Sequence, residues 1–410
     1  MSNVLIIGGG FAGVWSAAAA VRLRESAGVS ERDLSVTLVS AGDDMVIRPR
    51  LYQAEPEKMR VSLDRVLGPL GVRRVAATVT GVDTGRREVT AVGRDGRPTA
   101  IGYDRLVLAT GSQLVRPELP GAEHLHNVDT MPAAAALDAH LHRLPTRPDA
   151  PGRFTAAVVG AGFTGLEIAT ELVDRLRVIA RPHGAEDQVR VVLVERADAV
   201  GPELGAGPRP DITKALDALG VEPRVGVSVT EVRADGVRLT DGTDLAADTV
   251  VWTAGMLASP LTADIPAGRD RLGRLDVDEY LRVAGVPGVY AAGDTAAARA
   301  EEGHFVTQSC QHAGQLGKLA GHNVAAELLG VDLEAFDPIP YVTCLDLGSA
   351  GAVFSTGWER TVESTGETAK ARKRMINEVV IYPPVDDPEE TLRRADFRIS
   401  HRDLLEPQAS

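Results

Sequence analysis

Residues 4–23 impose a nucleotide-binding unit on this chain. Val4-Leu5-Ile6-Ile7 is a run of four apolar residues, the pattern of a strand buried on both faces. Gly8-x-Gly10-x-x-Gly13 follows with no spacer, and the Ala-rich stretch from Val14 to Leu23 predicts a helix. Gly8 permits a tight turn, Gly10 lets backbone approach a diphosphate, and Gly13 lets helix and strand pack closely. Phe11 and Ala12, inside the loop, share the expected contact. Free N–H groups and the helix dipole favour an anion at this N-terminus. Strand, turn and helix in this order turn a weak three-glycine motif into a dinucleotide site. The unit recurs at Ala156-Ala157-Val158-Val159, Gly160-x-Gly162-x-x-Gly165, with Thr164 inside the loop and a helix to Leu176. Two such units point to two dinucleotides, one held and one exchanged.

Composition narrows the classes. A chain of 410 residues suits two or three domains. A formal net charge of -13 argues against a nucleic-acid or anionic-membrane partner held by a broad basic surface. No apolar run approaches the roughly 18 residues that cross a bilayer, and the first strand starts too early for a secretion leader. These features point to the cytoplasm, with peripheral membrane contact as the alternative. Cys310 and Cys344 form no close pair, which excludes a CxxC dithiol and a cysteine zinc site. No metal site is expected. His126, His140 and His142 lie on or near a predicted helix over Met131 to Leu144; His140 and His142 fall on different faces, so all three read as surface residues.

The second strand of each unit should end in an acid for the ribose hydroxyls. In the first unit, Leu34 to Ser40, that place is Ser40, which can hydrogen-bond a ribose without charge; Asp43 and Asp44 follow. In the second, Val189 to Glu195, it is Glu195, which favours NADH and repels the extra phosphate of NADPH. Arg196 follows and keeps NADPH open.

Four further stretches complete the pattern: Pro49-Arg50-Leu51-Tyr52-Gln53, Ala109-Thr110-Gly111, Gly293-Asp294 at the end of a strand, and Thr307-Gln308-Ser309-Cys310-Gln311-His312 opening a helix to Leu329. With these the chain resembles the two-dinucleotide flavoprotein reductases, the pyridine nucleotide-disulfide oxidoreductase superfamily without its redox disulfide. The type II NADH:quinone dehydrogenases are the branch it looks most like. The resemblance implies FAD on the first unit and NADH on the second. It puts Pro49 beside the flavin, Thr110 and Gly111 where the chain passes the flavin nucleotide, and Asp294 on the ribityl chain. Gly255, the glycine turn closing the segment Thr249-Val250-Val251-Trp252-Thr253-Ala254-Gly255, would approach the nicotinamide. Arg48 and Arg50 depart from the family's neutral residues. They either support the reduced ring, or face solvent or pair with Asp43 and Asp44.

Glu167 follows the second loop by two residues. The resemblance puts it near the nicotinamide–flavin contact, where it orients the nicotinamide or handles a proton; the plain alternative is an acid complementing the helix dipole. The branch carries Ala-Gln-x-Ala-x-Gln for quinone. Gln308 matches, and His312 replaces the second glutamine, either as a proton donor near the acceptor or as a satisfied structural histidine.

The expected fold is α/β, with two Rossmann-like domains and a smaller α+β C-terminal region. Residues 1–150 and 270–335 would form the FAD domain, 151–269 the NAD(P)H domain and 336–410 the remainder. In that remainder Thr368 to Glu378, with Lys370, Arg372, Lys373 and Arg374, reads as a basic helix on a solvated or intersubunit surface. The expected activity is hydride transfer from NADH to FAD, then electron transfer to a quinone or quinone-like small molecule. A specialised metabolite or ferredoxin-like acceptor, or a non-catalytic redox-sensing role, are the alternatives. The family implies a homodimer.

Overall fold

The computed structural model describes residues 2–400 and 403–404. The chain opens with β1 (Ser2–Ile7), α1 (Phe11–Ser26) and β2 (Leu34–Ser40). Then come β3 (Arg73–Asp83), β4 (Glu88–Gly93), β5 (Pro98–Gly102), β6 (Arg105–Leu108) and α2 (Met131–Arg143). The second unit contains β7 (Thr155–Val159), α3 (Phe163–Ala180), β8 (Arg190–Glu195), α4 (Arg209–Leu219), β9 (Val221–Val225) and β10 (Thr249–Trp252). The chain then returns to the first sheet with β11 (Val289–Ala291) and runs into α5 (Cys310–Leu329). It ends in β12 (Val342–Asp346), β13 (Ala352–Thr356), β14 (Thr361–Thr365) and α6 (Gly366–Met375).

The first sheet has the order β11-β6-β1-β2-β3-β4-β5. Its first five strands are parallel and β4 and β5 extend it as an antiparallel meander. The second sheet, β9-β8-β7-β10, is wholly parallel. The central strands β1, β6, β7 and β8 are near-continuous apolar runs because both faces are covered, whereas the outer strands β3 and β9 are partly exposed. A short antiparallel ladder, Met256–Ala258 on Ser112–Leu114, ties the two units together where the chain passes between them.

Helix α1 is buried almost all round, which explains its Ala-rich, non-amphipathic sequence. One side faces α5 with no room for side chains. A Cβ on Gly317 would lie 2.4 Å from Ala12 O, and one on Gly321 would lie 2.1 Å from Ser16 O. Ser16 Oγ spans the seam, donating to Ala12 O at 2.7 Å and Gly317 O at 2.9 Å. Burial of this seam fixes the N-terminal ends of α1 and α5 beside each other.

Some local expectations shift. Residues 48–50 form a single 3-10 turn with Pro49 in its first turn, where its missing N–H costs nothing. Helix α5 begins at Cys310 rather than Thr307: Ser309 takes the cap, its Oγ accepting from His312 N at 3.4 Å. Helix α6 runs on into a π-helical turn, Ile376–Val380. His126 and His140 are not surface residues. They are half-buried with ring centroids 4.3 Å apart, and His140 Nε2 lies 3.0 Å from Thr249 Oγ1; His142 is exposed. Among the described residues no helix is long and apolar enough to cross a membrane.

Candidate functional site

One continuous cleft of about 3030 Å³ runs past both glycine loops and under the C-terminal region. An ordinary small-molecule pocket holds roughly 300–1,000 Å³, so the cleft has room for two dinucleotides end to end.

Both loops are shaped by steric need. A Cβ on Gly13 would sit 1.8 Å from Gly8 O, and one on Gly165 would sit 1.7 Å from Gly160 O. Gly8 and Gly160 hold φ of 120° and 104°, which L side chains avoid. Gly10 has open space where a side chain would be, so bare backbone faces the cleft. These loops can cradle a diphosphate on the first turns of α1 and α3.

The residues of the first unit fit FAD. Ser40 ends β2 at the cleft wall, and Pro49, Phe11 and Ala12 line it. Thr110 Oγ1 is buried with no partner among the described residues, while Gly111 opens on empty space. Gly293 turns at φ 69°, and a Cβ added there would lie 2.9 Å from Ala12 Cβ, so only glycine brings Asp294 to the wall this way. Asp294 Oδ2 accepts from Ser112 Oγ at 2.6 Å. Burial pushes its carboxyl up, against the pull of the Ser112 hydrogen bond and the Arg48 charge.

Arg48 belongs to this wall. It donates to Ser112 O at 3.1 Å and Ser112 Oγ at 3.0 Å, pairs with Asp129, and lies 3.9 Å from Asp294. Arg50 turns elsewhere, to Gln53 Oε1 at 2.8 Å and Tyr382 Oη at 3.0 Å. Neither pairs with Asp43 or Asp44, which are taken by Arg74, Arg94 and Arg60.

In the second unit Gly162 and Thr164 line the cleft, and Gly255 turns at φ 86° on its rim. Glu195 ends β8 buried, its two oxygens accepting from Ala161 N at 2.7 Å and Ala197 N at 2.9 Å. The side chain thereby fixes the glycine loop. Arg196 beside it is exposed at the edge of the cleft.

Glu167 lines the cleft from the second turn of α3 and is almost completely buried. Its Oε1 accepts from Lys373 Nζ at 2.8 Å and from Asp346 N at 3.1 Å. Burial raises the Glu167 carboxyl above the usual glutamate range, with the Lys373 ammonium pulling the other way. Lys373 also donates to Cys344 O at 3.0 Å. Lys370, on the same helix, pairs with Asp346, and Tyr52 Oη donates to Asp346 Oδ2 at 3.0 Å. The basic helix is therefore not a solvated face throughout. It sends Lys370 and Lys373 inward to a buried acid cluster, and only Arg372 and Arg374 remain outside. The spacing Ala369 to Lys373 carried that signal: both are buried and one turn apart.

Gln308 lines the cleft, its Nε2 donating to Asp294 O at 3.3 Å. His312 does not. It is 2% exposed and faces the hydroxyls of Thr307 (3.2 Å) and Ser309 (3.0 Å), with its ring 5.3 Å from that of Tyr341. Burial pushes its pKa down to about 4, so it is a neutral, satisfied residue rather than a proton donor to the cleft. The neighbouring Gln311 faces the cleft instead, with its Nε2 buried and unpartnered among the described residues. Helical rotation explains the swap: Gln308 precedes the helix, so the family spacing does not carry the second site to residue 312. No group of three or more His, Cys, Asp or Glu among the described residues is arranged to hold a metal.

The family model of the pyridine nucleotide-disulphide oxidoreductases matches residues 2–317. The chain is 47% identical over 411 residues to an NADH dehydrogenase-like protein of Mycobacterium tuberculosis (strain H37Rv), with 100% of both covered. It is 29% identical over 386 residues to the demethylphylloquinone reductase NdbB of Synechocystis sp., with 91% of each covered. Among solved structures it shares its fold with NDH2 from Plasmodium falciparum in complex with NADH, at a TM-score of 0.77 and 14% identity over 97% of both chains.

Proposed function

The chain belongs to the pyridine nucleotide-disulphide oxidoreductase family, and we propose that it passes electrons from NADH through FAD to a quinone-like small molecule. It is an NADH dehydrogenase-like flavoprotein oxidoreductase, and the acceptor is what we assign. The observation that carries the assignment is the buried Glu167–Lys373 pair in the wall of the cleft that also holds Gln308 and Gln311. The quinone reductase among its relatives supports the same class of acceptor.

FAD, when bound, would supply the two-electron redox chemistry between NADH and the acceptor. The protein supplies placement and charge. The Gly8–Gly13 loop and the start of α1 would hold the FAD diphosphate, and Asp294, Thr110 and Ser40 would take its hydroxyl-bearing chain and ribose. The Gly160–Gly165 loop with Glu195 holds NADH. The N-terminus of α5, with its unfilled N–H groups and Gln308, favours negative charge in the cleft.

A quinone taking two electrons also takes two protons. Glu167 is a buried carboxyl in the cleft wall whose proton is held more tightly than an exposed glutamate's, and Lys373 keeps its ionised form accessible. The pair is suited to hold and pass a proton at the acceptor. Gln308 and Gln311 offer amide N–H groups to acceptor carbonyls.

Electrons leave without a thiol relay. Cys310 and Cys344 are both free, and burial pushes each thiol up to about 11, which suppresses the thiolate. The turning of His312 away from the cleft favours a second reading, in which a specialised small metabolite occupies the acceptor place. Anaerobic NADH oxidation measured with and without menadione tests the assignment. A strong stimulation supports a quinone, and none contradicts it.

A further inference from the structure

A cation from the C-terminal region reaches the second glycine loop. Arg360 lies in the turn between β13 and β14 at φ 58°, a left-handed conformation that non-glycine residues rarely adopt. Its side chain is not spread on the surface. Arg360 is 7% exposed, and its guanidinium carbon sits 4.6 Å from the Tyr341 ring centroid and 5.4 Å from that of Phe163. Nη1 donates to Tyr341 Oη at 2.9 Å and Nη2 to Glu203 O at 3.3 Å. No carboxylate pairs with it among the described residues, so a buried cation is held by neutral acceptors alone.

Phe163 is the first residue of α3, and it follows Gly162 of the loop directly. Arg360, Phe163, Gly162 and Glu203 line the same stretch of cleft. The backbone is committed to this contact too: a Cβ on Gly207 would lie 2.6 Å from Arg360 O. Strained φ, burial, ring packing and a bare glycine all serve to bring one unpaired guanidinium to the start of α3. A planar guanidinium with free N–H groups is suited to a phosphate oxygen pair.

We infer that Arg360 is a positioning residue for the NADH diphosphate, so that the C-terminal region completes the NADH site. The inference rests on the reading that the second glycine loop holds NADH. NADH engaged this way is fixed between α3 and the C-terminal hairpin, and the hairpin also leads to α6, which carries Lys373.

The test is calorimetric titration of the FAD-loaded enzyme with ADP-ribose, which carries the diphosphate without nicotinamide, and with adenosine, which carries neither. Arg360→Gln is expected to weaken ADP-ribose about tenfold and to flatten its salt dependence, with adenosine unchanged. Equal loss of both ligands, or loss of neither, would overturn the inference. If Arg360→Gln does not retain FAD, Arg360→Lys keeps the charge but loses the planar fork; it is expected to weaken ADP-ribose by about threefold or more with adenosine unmoved, and unchanged ADP-ribose affinity overturns the inference. Failure of the wild-type enzyme to bind ADP-ribose would overturn the placement of NADH on this loop as well.

Discussion

Lys373 Nζ lies 2.8 Å from Glu167 Oε1, so an ammonium from α6 near the C-terminus neutralises a carboxylate two residues past the last glycine of the second nucleotide loop. Both side chains are buried. Neither charge is tolerable there alone, and together they tie the C-terminal region to α3, the helix of the second glycine loop.

Removing one partner of this pair is expected to cost far more than removing both. Lys373→Met strands the Glu167 carboxylate and should destabilise the protein by about 3–5 kcal/mol. Glu167→Gln with Lys373→Met leaves no uncompensated charge and should recover much of that loss. A double-mutant cycle from urea unfolding checks it; additive losses would show the pair is not coupled. In the Glu167→Gln single variant, flavin bleaching by NADH should persist, while reoxidation by the acceptor slows by about tenfold or more.

The two glycine loops should be separable by single methyl groups. A methyl at Gly13 meets Gly8 O at 1.8 Å and one at Gly165 meets Gly160 O at 1.7 Å, so the loop must move in either variant. Gly13→Ala is expected to purify without its flavin. Gly165→Ala is expected to keep the yellow flavin spectrum but lose bleaching by NADH. Visible absorbance before and after NADH reads both, and retention of FAD by Gly13→Ala would contradict the assignment of the first loop.

Lys318, on α5, gives a stability change with a definite sign. It is 3% exposed, its Nζ donates to Ile399 O at 2.8 Å and lies 5.1 Å from the Trp15 ring centroid. Burial lowers its pKa from the ordinary 10.5 to about 8. Between these values the unfolded chain binds the proton and the folded chain does not, so the residue's contribution to stability rises with pH across that window. Below about pH 8 both states are charged, and burial of the ammonium costs on the order of 3 kcal/mol at about 1.4 kcal/mol per unit. Lys318→Met should therefore be more stable than wild type at pH 7, with the gap closing toward pH 10. Urea unfolding of both proteins at the two pH values is the check; a gap that widens with pH would contradict it.

Much of the fold was legible because the parallel sheets write themselves as apolar runs ending in glycine turns. Gly8 to Gly13 and Gly160 to Gly165 are short-range features, and Asp294 follows a strand directly. What was not legible depends on contacts far apart in sequence. Lys373 meets Glu167 across about two hundred residues, and a basic helix carries no mark of which lysine turns inward beyond the one-turn spacing from Ala369. Arg360 sits in a turn whose value lies in the loop it touches. His312 and Gln311 exchanged roles because one residue of helix is a rotation of about 100°, enough to turn one into the core and the other to the cleft. Arg48 and Arg50, two residues apart on one turn, likewise part company: one joins Asp129 and Asp294, the other Tyr382.

Double-mixing stopped flow addresses the acceptor most directly. The enzyme is first mixed anaerobically with NADH until the flavin absorbance bleaches, then mixed with menadione, with a benzoquinone, or with air-saturated buffer. Fast bleaching followed by recovery of oxidised flavin much faster with a quinone than with oxygen is the predicted result. Fast bleaching with no quinone outrunning oxygen would contradict a quinone-like acceptor while leaving the NADH half-reaction in place.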